Sequence, residues 1–91
     1  MTHLHKTLNI NTKDIIAVKL SGAAFVMLMD DHNYNLYCND LEYEYFGREV
    51  KQRSPYRLRA PVAGRWHLVI EQSDPAQSVD VAVQIEGDAW E

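Results

Sequence analysis

Between Val79 and Glu86 apolar and polar residues alternate: Val79, Val81, Val83 and Ile85 stand against Asp80, Gln84 and Glu86. Successive side chains of an extended chain leave on opposite faces, so a stretch like this buries one face and hydrates the other only as a strand. The same period of two recurs through the chain. Leu4, Leu8 and Ile10 hold even positions against His5, Thr7, Asn9 and Asn11, with Lys6 the one exception. Tyr56, Leu58 and Ala60 alternate with Arg57 and Arg59, and Trp66, Leu68 and Ile70 with His67, Val69 and Glu71. No long helical period competes with this pattern.

Two denser apolar runs lie inside that frame. Ile15 to Leu20 is apolar on both faces at its start, which suits a strand covered on both sides. Ala23 to Met29 is apolar throughout and is bounded by turn signals, so it reads as the central strand. It stops at Asp30-Asp31-His32-Asn33, which reads as a polar corner returning the chain into a strand with Tyr34, Leu36 and Cys38 on one face. Leu41, Tyr43 and Tyr45 against Glu42 and Glu44 predict a further half-buried strand. Gly47 to Ser54 reads as a polar loop or one helical turn, closed by Pro55. Ser21-Gly22, Pro61 to Gly64 and Ser73 to Gln77 are turns by composition. The expectation is about seven or eight short strands at roughly 8–12-residue spacing, an all-β antiparallel sandwich.

Composition bounds the rest. Ninety-one residues suffice for one small domain, so residues 1–91 are expected to form a single unit with 87–91 as a short C-terminal tail. A net charge of −4 gives no global nucleic-acid footprint, and no nucleic-acid partner is expected. The single cysteine, Cys38, excludes an internal disulfide and fits a reducing compartment. Nothing approaches the roughly 18 apolar residues of a spanning helix, so no membrane is expected and the cytoplasm is the default location.

Four constellations carry candidate chemistry. Asp30, Asp31 and His32 bring two carboxylates and an imidazole together, a set able to hold a divalent metal or to work as acid and base. The competing reading is a turn, because Asp and Asn bond to nearby backbone amides and neighbouring strand residues face opposite ways. His3 and His5 share a strand face but lack a third ligand in the sequence, so a solvent-facing pair is expected. Cys38 has no base or electropositive setting in the sequence and is expected to be a buried structural thiol. The fourth is basic. Arg48, Lys51, Arg53, Arg57, Arg59 and Arg65 concentrate between Gly47 and Trp66 in an acidic chain. Arg57 and Arg59 share a strand face where two guanidinium groups can fork onto a phosphate or carboxylate, and Tyr56 and Trp66 lie nearby in sequence as stacking surfaces. The plainer alternative is a solvated face paired with Glu42 and Glu44, and for Trp66 a core anchor.

Three segments together resemble a known family. They are Val26-Met27-Leu28-Met29-Asp30-Asp31 with Asn33-Tyr34 and Tyr37, then Tyr43-Glu44-Tyr45-Phe46-Gly47, then Ser54-Pro55 leading to Pro61 and Gly64 to Ile70. The chain is similar, from about Leu4 to Ile85, to the bacterial domain-of-unknown-function family numbered 1883. The resemblance implies a small β-sandwich of jelly-roll-like character and no particular activity. Some members join this domain to a Toll/interleukin receptor domain, which implies a recognition or regulatory module. Here Lys13-Asp14 stands where the family usually has Gly-Asp, and Arg48 where it tends to have a second glycine after Gly47.

The combined expectation is a small cytoplasmic binding module without catalysis or cofactor that recognises a protein or a small anionic ligand. Arg57, Arg59, Arg53, Tyr56 and Arg65 are its candidate contacts. One alternative is a nucleotide- or phosphate-sensing regulatory domain on the Arg57/Arg59 strand. A second is a metal-dependent enzyme at Asp30, Asp31 and His32. Homodimerisation is a further expectation, since a small single-core domain exposes sheet edges that association can cover.

Overall fold

A computed structural model describes residues 3–11, 13–51, 55–74 and 79–86. Its elements run β1 (His3–Ile10), β2 (Ile15–Leu20), β3 (Ala24–Met29), α1 (Asp31–Cys38), β4 (Phe46–Val50), β5 (Pro55–Leu58), β6 (Gly64–Gln72) and β7 (Val81–Glu86). Two antiparallel sheets form, one of four strands in the order β1-β6-β3-β4 and one of three in the order β5-β2-β7. The protein is thus the small all-β sandwich that the alternation predicts, with seven strands among the described residues. No helix among them is long and apolar enough to cross a membrane.

The inner faces meet in one core. Val26, Leu28, Trp66, Leu68 and Ile70 from the larger sheet pack against Ile16, Val18 and Leu20 from the smaller one. Each is at most 5 % exposed, and at about 25 cal/mol per Å2 such burial is the main term favouring the fold. The larger sheet also carries a second, thinner layer on its outer face. Met27, Met29 and Val69 are buried there beneath Tyr34, Tyr37 and Tyr43. This explains why Ala23 to Met29 is apolar without a break: both of its faces are covered.

The cover is a helix where strand pairing was expected. Asp30 does not turn one strand into another; it caps α1, its carboxylate accepting the backbone N–H of Asn33 at 2.8 Å. Asp is among the strongest N-cap residues because it satisfies an otherwise orphaned first-turn donor. At the other end Leu41 N–H reaches Leu36 C=O and Asp40 N–H reaches Tyr37 C=O, with Asp40 at φ 57°. That is a Schellman closure with aspartate in the position usually held by glycine. The spacing of Tyr34, Leu36 and Cys38 imitated a strand over three positions, and the caps on either side override it. Cys38, expected to be buried, is exposed on this helix.

Two further expectations shift. Leu41 to Tyr45 is not a strand; it leads from the helix into β4, which starts at Phe46 and occupies the first part of the expected 47–54 loop. Pairing with β3 pulls the polar segment into the sheet as an edge strand. Gly47 is the reason this succeeds. At φ 128° it lies against the backbone of Val26, and a Cβ there would run into the Val26 carbonyl. Arg48 needs no positive φ: Asp40 alone among the described non-glycine residues has one.

Candidate functional site

The basic segment divides among three places. Arg48, Lys51, Tyr56 and Arg57 line one open groove of about 450 Å3 together with Glu49, Val50 and Pro55. It forms because β4 and β5 are edge strands of different sheets and border the same side of the sandwich. Arg65 is elsewhere, forking onto Asp31 through Nε at 3.1 Å and Nη2 at 2.8 Å. Arg59 is exposed just beyond β5 and does not line the groove, and Arg53 lies outside the described residues.

Alternation along β5 explains what Tyr56 does. Tyr56 sits opposite Val18 and packs against the core, whereas Arg57 sits opposite Ala17 on the outer face. The Tyr56 ring is already occupied, with the Arg48 guanidinium 5.4 Å above its centroid. Arg57 donates from Nε to Glu86 at 3.0 Å, so its partner is β7 and neither Glu42 nor Glu44. Trp66 is a core residue, 5 % exposed, whose Nε1–H donates to Val62 C=O at 3.0 Å.

The acidic corner is also dispersed. Asp30 caps the helix, His32 is exposed on it, and Asp31 turns onto the outer face of β6. Among the described residues no three His, Cys, Asp or Glu side chains gather in a metal-holding group. Asp31 instead ends a chain of hydrogen bonds. Its Oδ1 lies 2.5 Å from His67 Nε2, and His67 Nδ1 lies 2.8 Å from His5 Nε2. With neutral rings, His67 Nε2–H donates to the carboxylate and His5 Nε2–H donates to His67. Tyr34 stacks on both rings, at 4.1 Å from His5 and 4.4 Å from His67. Hydrogen bonds from Arg65, then from His67, hold the Asp31 carboxyl at about 2, below its ordinary 3.8.

This relay acts as a clamp that ties the start of the helix to β6 and β1. His67 is 9 % exposed and both its ring nitrogens are engaged, one by Asp31 and one by His5. A second clamp lies toward the other end of the helix, where Tyr37 O–H donates to the Glu71 carboxylate. Burial first, and Glu71 second, push the Tyr37 hydroxyl up from its ordinary range. The helix is therefore fastened to β6 at both ends. His5, expected to face solvent, is half-buried within the first clamp.

The relay was hidden in the sequence because His5 and His67 are 62 positions apart and meet only through the pairing of β1 with β6. The one available signal was that both sit on the outward phase of their strands. Neither a curated protein nor a solved structure gives a significant match to this chain. A family model does, over residues 1–87 of 91, and the chain belongs to the family described as a domain of unknown function, DUF1883.

Proposed function

We propose that this domain is a non-catalytic recognition module that holds an anionic group, a phosphate or a carboxylate, in the groove between β4 and β5. One observation carries the reading: Arg48, Lys51 and Arg57, the last paired through Nε with Glu86, line a single concavity whose one lining carboxylate among the described residues is Glu49, in a chain whose net charge is −4. Against that acidic background a local surplus of cations focuses an attractive field on anions. Guanidinium groups add directed donors matched to phosphate or carboxylate oxygens.

The geometry favours an anion over a whole nucleotide. A base would need a free aromatic face, and the Tyr56 ring is covered by Arg48 on one side and packed against the core on the other. A metal-dependent enzyme at Asp30, Asp31 and His32 has less support, since the three side chains serve a cap, a clamp and the solvent.

Thermal melting of the full chain tests the reading, with inorganic pyrophosphate, ATP and a hexaglutamate peptide as probes. At a tenfold excess over Kd, binding stabilises by about 1.4 kcal/mol, a rise of roughly 6–11 °C for a domain this small. The rise should disappear in the double variant Arg48→Ala, Lys51→Ala. No rise with any of the three probes at millimolar concentration would reject the groove as an anion site.

A further inference from the structure

A second concavity opens at the other end of β4. Leu28, Asp30, Asn33, Glu44, Tyr45, Phe46 and Trp66 enclose about 220 Å3, several times the roughly 30 Å3 that one water occupies in the liquid. It lies where β3 passes into α1 and the chain re-enters the sheet at Phe46. Leu28, fully buried, forms part of its lining. The Phe46 and Trp66 rings meet edge to face at 6.0 Å and 75°, and Phe46 is 50 % exposed although it is a large apolar residue at the sheet edge.

The polar groups of this cavity are nearly all acceptors. The Trp66 N–H is spent on Val62, and the Asn33 side-chain N–H donates to Asp30 Oδ1 at 3.0 Å. The Asn33 carbonyl oxygen accepts the Glu44 backbone N–H at 2.8 Å, so one amide ties the helix cap to the segment bearing Glu44. Asn33 thereby ties Asp30 and the Glu44 backbone together, and both acidic residues line the cavity. Among the described residues no Lys, Arg or His lines the cavity, and neither Asp30 nor Glu44 is in an ion pair.

We propose that this cavity binds an alkylated ammonium group. Aromatic faces attract a cation through the ring quadrupole, and an alkylated one keeps the apolar surface that suits the exposed rings of Tyr45 and Phe46. Its lack of strong donors is no handicap, because the carboxylates act at a distance as charges. An anion would meet two residues of like charge and no cation among the described lining residues. A neutral ligand of the same shape would leave those charges uncompensated. The group is carried either by a free small molecule or by a methylated lysine side chain, and the chemistry of the cavity is common to both.

The test uses the full chain with Trp90→Phe, which leaves Trp66 as the one fluorescent indole. Tetramethylammonium, choline and a trimethyllysine peptide are titrated, with 3,3-dimethyl-1-butanol as the uncharged counterpart of choline. The expected result is a saturable change in Trp66 emission with tetramethylammonium and choline, at least about tenfold weaker in Asp30→Asn, Glu44→Gln. Asparagine caps helices as well as aspartate does, so this variant should melt close to the parent. A peptide that binds more tightly than choline assigns the source to a modified protein, and the reverse order assigns it to a free molecule. Equal binding of the uncharged counterpart, or no saturable change with any of the cations, overturns the proposal. Neither outcome depends on the groove of Arg48 and Lys51.

Discussion

The two ends of β4 present opposite chemistries. At Phe46 the strand borders a compact cavity of aromatic faces and carboxylates; from Arg48 to Val50 it borders an open groove lined by cations. The first has walls set by the core, since Leu28 and Trp66 cannot move without disturbing it. The second is made of long side chains in water, held by one cation–π contact and one surface ion pair. A short edge strand can thus separate two recognition chemistries, provided the residue between them keeps the backbone close to its neighbour.

That residue is Gly47, and replacing it is the most drastic way to break the comparison. Gly47→Ala must move a Cβ away from the Val26 carbonyl and hold a non-glycine residue at φ 128°. The expected loss is about 3 kcal/mol or more, with both concavities damaged together, read by chemical denaturation. A loss below about 1 kcal/mol would show that β4 can shift without cost to β3.

The clamps on α1 should separate the two regions, because the helix carries Asp30 and Asn33 of the cavity and nothing of the groove. Tyr37→Phe removes one hydrogen bond, for about 1 kcal/mol. Its pH signature is specific. The folded state holds the Tyr37 hydroxyl above its ordinary 10.0, so its contribution is complete below that pH and is lost as pH rises beyond it. The alkaline fall in stability should be shallower in the phenylalanine variant, and an identical alkaline limb would show that Tyr37 is not clamped.

Asp31→Asn reads the other clamp from the opposite side of the pH scale. The folded pKa is depressed, so the contribution of Asp31 is present above 3.8 and is lost as pH falls toward about 2. The variant should flatten the acid limb over that interval, and a parent-like limb would exclude the Arg65–Asp31–His67 arrangement. The smallest effect is expected for Glu86→Gln. An exposed pair is worth about 0–1 kcal/mol, so stability should barely move. Release of Arg57 should instead tighten pyrophosphate binding in the groove, and weaker binding would show that Glu86 orients the guanidinium rather than competing for it.

Much of the fold was legible because the strands obey one period. β1, β2, β3, β6 and β7 fall where alternation or a dense apolar run places them, since each has a face against the shared core. The helix was not legible from its own residues: three apolar positions two apart fit a strand, and no residue of α1 is buried enough to impose a helical stripe. Its signals were Asp30 and Asn33 at cap spacing and Asn39-Asp40 at the other end, which also occur in ordinary turns. Of the candidate site, the cluster of positive charge was visible, but its division was not. Whether Arg65 meets Arg57 or Asp31 depends on which strands are neighbours, and local pattern carries no such information. Tyr56 shows the converse, because alternation alone already sends it to the opposite face from Arg57 and Arg59.

The strand order has a consequence in time. β6 lies between β1 and β3, and β2 lies between β5 and β7, so among the described residues β3 and β4 are the only paired strands that follow one another in the chain. During synthesis β1 waits for Gly64 to Gln72 before it has a partner, and β2 waits for Val81 to Glu86 before its sheet is complete. Pairings between distant segments are slow to close, and the apolar face of β2 stays exposed meanwhile. The domain should therefore fold late and all at once, with the β3–β4 pair and its intervening helix as the one part able to assemble ahead of the rest.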